Sequence, residues 1–128
     1  MKSFVDSQSF IWALDDPPNL SANAVVTLQN PANDLLISTA TIWEIAIKVG
    51  SGKLKLSLPY RLWIENALIT LDAVIVPVTL DHCEVQSTLP RLHGDPFDRM
   101  IAAQCLFEKI PVVSSDAVFD QYGVTRIW

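Results

Sequence analysis

Asp34-Leu35-Leu36-Ile37-Ser38-Thr39-Ala40-Thr41-Ile42-Trp43-Glu44-Ile45-Ala46-Ile47-Lys48-Val49-Gly50 changes hydrophobic period within a few residues. The run Leu35-Leu36-Ile37 suits a strand buried on both faces, as strands inside a parallel sheet are. From Thr39 to Val49 the residues Ile42, Ile45, Ala46 and Val49 recur at helical spacing, and Gly50 or Gly52 supplies the stop. A strand that passes straight into a helix is half of a βαβ unit, so the expected class is α/β.

The same alternation extends in both directions. Toward the N-terminus, Lys2 to Asp6 reads as a strand ending on a carboxylate, and Ser7 to Leu14 as a helix with Phe10, Ile11 and Leu14 on one side. Asp15-Asp16-Pro17-Pro18-Asn19 is a loop whose aspartates read as solvated turn residues, and Ser21 caps a helix to about Leu28. Toward the C-terminus, Leu54 to Leu58 carries no assignable pattern. Tyr60 to Leu71 is an amphipathic helix, and Val74 to Val78 a strand that Pro77 places at an edge. Thr79 then caps a helix to about Leu89, and Asp95 with Pro96 opens one that runs to Glu108. Ile110 to Asp116 is a strand again ending on an aspartate, Ala117 to Tyr122 a helical turn, and Val124 to Trp128 a last strand. Strands separated by helical crossovers predict a parallel sheet with helices on both faces. With no repeat and no linker, residues 1–128 read as a single domain.

Half the residues are hydrophobic and 18% are charged, which excludes a disordered chain. No apolar run is long enough to span a bilayer and no export signal opens the sequence, so a cytoplasmic protein away from the membrane is expected. Cys83 and Cys105 lack metal-type spacing and read as small buried hydrophobes suited to a reducing compartment. The net charge of −5 argues against a surface that grips a polyanion. Setting aside Asp6, Glu44, Asp95, Asp98 and Asp116 leaves nine acids against nine lysines and arginines, so the excess can belong to one pocket.

In parallel sheets ligands sit beyond the carboxyl ends of the strands. Asp6 and Asp116 end strands and Glu44 opens a helix after one, so three acids point at one edge, and Asp98 is expected to join them. Each also has a plain capping use: Asp6 and Asp116 before helical turns, Glu44 three residues after Thr41 as in a capping box, Asp95 before Pro96. Two unit charges about 4 Å apart repel by roughly 4 kcal/mol at an effective dielectric of 20, so a cluster of four or more demands compensation. An all-oxygen donor set without His or Cys favours Mg2+, with Mn2+ possible, and such ions serve phosphodiester cleavage.

Four segments together resemble the PIN-domain family, in particular its VapC-type toxin ribonucleases. They are Val5-Asp6-Ser7-Gln8-Ser9-Phe10-Ile11-Trp12, Ser38 to Lys48, His93-Gly94-Asp95-Pro96-Phe97-Asp98-Arg99, and Val113-Ser114-Ser115-Asp116 with Tyr122-Gly123-Val124 and Trp128. The resemblance implies a three-layer α/β/α PIN-like domain that binds Mg2+, hydrolyses RNA and is held inactive by a cognate antitoxin. Carried over by position, Asp6, Glu44, Asp98 and Asp116 match the catalytic and metal-binding acids. Asp95 and Ser7 would support them. Gln8 stands where many relatives have His, which removes a group able to titrate near neutrality.

Around these, Arg99 is expected to pair with a carboxylate or reach a substrate phosphate, and His93 to be a solvated loop residue. Lys48, Lys53 and Lys55 form the only local basic group, read plainly as a solvated surface and functionally as contacts to the RNA backbone beside the cleft. Trp12, Trp43 and Trp63, with Ile64, Leu68 and Leu71, are expected in the core, some forming a homodimer face or an antitoxin groove. Two rival functions remain: a catalytically silent PIN-like module that only binds a partner, and a phospho-accepting receiver domain. The second is disfavoured because Asp6 has no adjacent acid.

Overall fold

The computed structural model describes all residues 1–128. Its strands are β1 (Lys2–Val5), β2 (Asp34–Ser38), β3 (Ala73–Val76), β4 (Val112–Val113) and β5 (Arg126–Ile127). The helices are α1 (Ser7–Asp15), α2 (Ala22–Gln29), α3 (Thr39–Gly50), α4 (Tyr60–Leu71), α5 (Leu80–Thr88), α6 (Pro96–Glu108) and α7 (Val118–Gln121), with a 3-10 turn at Pro17–Asn19. The strands form one sheet in the order β3-β2-β1-β4-β5. Every pairing is parallel.

Alternation along the strands divides the core into two layers. Val5, Leu35, Ile37 and Val113 face α1 to α4, packing on Phe10, Ala24, Leu28, Ile45, Trp63 and Ala67. Phe4, Leu36 and Val112 face the other way, onto Ile101, Ala102 and Cys105 of α6 and onto Phe119 and Tyr122. With α5 laid against α6, the result is a three-layer α/β/α sandwich.

Pro77 indeed follows an edge strand, since β3 is outermost. β4 and β5 are shorter than the sequence suggests. Pro111 has no amide to donate, and beyond Val113 the Ser114 hydroxyl accepts from the Asp116 amide at 3.0 Å, turning the chain out of the sheet. Asp15 is not simply solvated. Its carboxylate accepts from the Trp63 indole at 3.0 Å and from the Ser57 amide and hydroxyl, pinning the segment before α4 to the end of α1. Cys83 is exposed, while Cys105 is buried; α5 buries His82, and the next residue on a helix is rotated away by about 100°.

Candidate functional site

The chain runs from β1 to β2 to β3 on one side of the sheet and then crosses to β4 on the other side of β1. That reversal opens a crevice beyond the carboxyl ends of β1 and β4. A cavity of about 330 Å³ lies there, lined by Asp6, Ser7, Gln8, Ile11, Glu44, Lys48, Asp95, Asp98, Ser115 and Asp116. All five acids singled out in the sequence therefore face one space, α6 included.

Each acid reaches it by a local device. Asp6 is the N-cap of α1: one oxygen accepts from the Ser9 amide at 2.8 Å and the other from the Ser114 hydroxyl at 2.6 Å. Asp116 accepts from the Val118 amide at 3.0 Å. Asp95 caps α6, accepting from the amides of Phe97 and Asp98 at 2.9 and 3.3 Å. That cap fixes Asp98 in the first turn of α6. For Asp6, Asp95 and Asp116 the capping use and the cluster coexist in one side chain.

The capping-box expectation for Glu44 does not hold, because the N-cap of α3 is Ser38, whose hydroxyl accepts from the Ala40 amide. Thr41 is then already inside the helix, and Glu44 sits beyond the first turn. Its carboxylate is buried, accepts from the Ser7 hydroxyl at 2.5 Å and pairs with Lys48 at 2.9 Å.

The electrostatics follow from this crowding. Burial, together with the charges of Asp95, Asp6, Glu44 and Asp116, pushes the Asp98 carboxyl up to about 8. Burial also raises Asp6, against the hydrogen bonds from Ser114 and Ser9. Five carboxyl groups and one lysine line the cavity, so its charge suits a cation.

Comparisons with known proteins bear on the family and the fold. The family pattern of the PIN domain matches residues 3–124. The chain belongs to the PIN-domain family. Among solved structures, VapBC2 from Rickettsia felis, bound to a DNA fragment from their promoter, is similar with a TM-score of 0.75 at 16% identity, over 98% of this chain and 97% of that one. VapBC-1 from nontypeable Haemophilus influenzae gives 0.68 at 21% identity, over 98% and 96%. FitAcB from Neisseria gonorrhoeae gives 0.66 at 17% identity, also over 98% and 96%. At these identities the likeness is one of fold. No curated protein is significantly similar in sequence. The receiver-domain alternative falls with the family match.

PIN domains are generally nucleases that use divalent metals. In this PIN domain no three His, Cys, Asp or Glu side chains close on one point as a ready-made chelate. Asp6 and Glu44 are instead held by Ser114, Ser9, Ser7 and Lys48. The donor set still fits magnesium, a hard cation that takes oxygen ligands.

Three expectations around the cluster need correction. The Arg99 guanidinium pairs with no carboxylate: it donates to the carbonyls of Pro90, Gln86 and Leu89 and to the Tyr122 hydroxyl, closing the C-terminal end of α5. His93 is not a free loop residue, since Nδ1 is 2.8 Å from the Tyr122 hydroxyl and Nε2 3.8 Å from Asp98. The three lysines do not line one groove. Lys48 and Lys53 line a groove shared with Glu44, Asp95 and Phe97, whereas Lys55 lines a separate one beside Leu56 and Tyr60.

Ser114 and Thr41 were legible only in part. Ser114 stands two residues before Asp116, and Thr41 three before Glu44, but sequence spacing does not show that the Ser114 hydroxyl reaches back to Asp6 or that the Thr41 hydroxyl lies 3.3 Å from that of Ser7. Of the tryptophans, Trp63 is fully buried, Trp12 is half-buried against Trp128, and Trp43 is 64% exposed. Trp43 meets Phe97 edge to face at 5.5 Å beside an apolar hollow formed with Ala40, Val78 and Met100.

Proposed function

We propose that the chain is a single PIN domain acting in the cytoplasm as a Mg2+-dependent endoribonuclease, the toxin of a toxin–antitoxin pair neutralised by its cognate antitoxin. The observation that carries this reading is the convergence of Asp6, Glu44, Asp95, Asp98 and Asp116 on one polar cavity beyond the ends of β1 and β4. The toxin assignment is supported by similarity of fold to the VapBC and FitAcB structures and, separately, to a toxin–antitoxin complex from Klebsiella pneumoniae at 19% identity.

In this reading Asp6, Glu44, Asp98 and Asp116 hold the cation, or Mn2+ in its place. The chemistry that a bound divalent cation supplies is the acidification of a water and the steadying of negative charge on the departing oxygen. The chain's own residues prepare the site. Ser114 and Ser9 fix the two oxygens of Asp6, Ser7 orients Glu44, and Asp95 holds the first turn of α6 so that Asp98 faces the cavity. Lys48 and Lys53 supply positive charge for the RNA backbone beside these acids. A second copy of the chain covers the apolar face around Trp43 and Ile47, making a homodimer.

The rival reading is a silent partner-binding module. It is favoured by Gln8 and by the ion pair that already neutralises Glu44. RNA incubated with the purified chain in magnesium buffer, with and without EDTA, separates the two: the enzyme cuts only without the chelator, the silent module in neither.

A further inference from the structure

The loop before α6 places a linked set of polar groups behind Asp98. Arg99 Nη1 is 3.2 Å from the Tyr122 hydroxyl, that hydroxyl is 2.8 Å from His93 Nδ1, and His93 Nε2 faces Asp98 Oδ2 at 3.8 Å. Donor and acceptor chemistry gives the set a direction. A guanidinium has only donors, so the Tyr122 oxygen accepts from Arg99 and its own proton must go elsewhere. The available acceptor is His93 Nδ1. In the neutral ring the remaining proton then sits on Nε2. Nε2 is buried with no hydrogen-bond partner, and a buried donor needs an acceptor. The carboxylate of Asp98 is the group it faces.

We propose that His93 is a positioning residue for Asp98, held in its Nε2–H form by Arg99 and Tyr122 so that this N–H faces the Asp98 carboxylate and biases its orientation. Two further features suit this role. Arg99 is itself immobilised by the carbonyls of Pro90, Gln86 and Leu89, so the series starts from a fixed point. Tyr122 is buried in the core layer against α6, so its hydroxyl is held in place. The arrangement sets a ligand's orientation through the hydrogen bond on the far side of an imidazole. Its catalytic consequence rests on the nuclease reading; the direction of the hydrogen bonds does not.

The test uses the full chain labelled with 15N-histidine, whose ring nitrogens report which of the two carries the proton. The His93 signals are assigned by their absence in His93→Gln. Expected are nitrogen shifts of the Nε2–H tautomer, with the Nδ1–H form appearing in Tyr122→Phe, which keeps the packed ring and removes the hydroxyl. An Nδ1–H ring in the unaltered chain, or no change in Tyr122→Phe, overturns the proposal. In RNA cleavage, His93→Ala and Tyr122→Phe should each lower kcat about tenfold with KM little changed, and the double variant should be no slower than the slower single one. Unaltered kcat in His93→Ala also overturns it. If the unaltered chain cuts no RNA the nuclease reading has failed, and the ring tautomer alone then decides whether His93 is held as proposed.

Discussion

The hydroxyl of Ser114 donates to Asp6 Oδ2 at 2.6 Å while accepting from the Asp116 amide at 3.0 Å, so one small side chain joins the ends of β1 and β4. Ser114 is fully buried, and the register that pairs Val5 with Val113 sets it beside Asp6. Ser114→Ala should leave the sheet intact and cost about 2 kcal/mol of stability, the net value of its two hydrogen bonds. It should slow RNA cleavage about tenfold, because Asp6 loses its orientation. Denaturant unfolding and cleavage rates on the same preparation check both halves.

Asp98 makes stability depend on pH with a definite sign. Its carboxyl is raised to about 8 in the folded chain from the usual 3.8. Between these values the folded state holds a proton that the unfolded state has released, so stability falls as pH rises, levelling off above the folded value. In EDTA the protein should melt at a lower temperature at about pH 9 than at about pH 6, and the Asp98→Asn variant should lose most of that difference. Calorimetric melts at the two pH values measure it. Added Mg2+ should restore the melting temperature of the unaltered chain at the higher pH and do little for the variant.

Asp15 acts away from the site. Burial alone would raise its carboxyl, but hydrogen bonds from Ser57 and Trp63 outweigh that and hold it below its ordinary value. Its contribution is therefore present above the unfolded carboxylate range and lost as pH falls through the folded value. Asp15→Ala should destabilise the fold by about 2 kcal/mol, since the indole N–H of fully buried Trp63 loses its acceptor. Urea unfolding at neutral pH is the measurement.

The elements with strong periodicity were legible to within a residue or two, as α4 and α6 show, because their apolar faces are the ones the core buries. The short strands were not, because β4 and β5 end where Pro111 and the Ser114 turn interrupt pairing, a tertiary outcome. Among the site residues, the acids were readable since each stands at a strand end or in an early helical turn. Arg99 and His93 were misread because their partners, Tyr122 and the end of α5, lie 9 to 29 positions away in sequence. The exposure of Trp43 was equally hidden: helical spacing puts it next to Glu44, which is buried on the adjoining face.

Trp43 offers a test of the homodimer. It is 64% exposed, Ile47 on the same helix is 45% exposed, and both adjoin the groove or hollow beside Phe97. Trp43→Arg should convert a dimer to a monomer in sedimentation velocity with little change in the melting temperature. A dimer that persists unchanged would move the interface elsewhere.

Under the proposed function the carboxylates around Asp98 bind a divalent cation and support RNA cleavage. The most direct measurement of this is the rate of RNA cleavage in Mg2+ by Asp98→Asn, beside the unaltered chain, with circular dichroism showing both folded. Asp98→Asn should cut at least about a hundredfold more slowly. Cleavage at the rate of the unaltered chain would contradict that function.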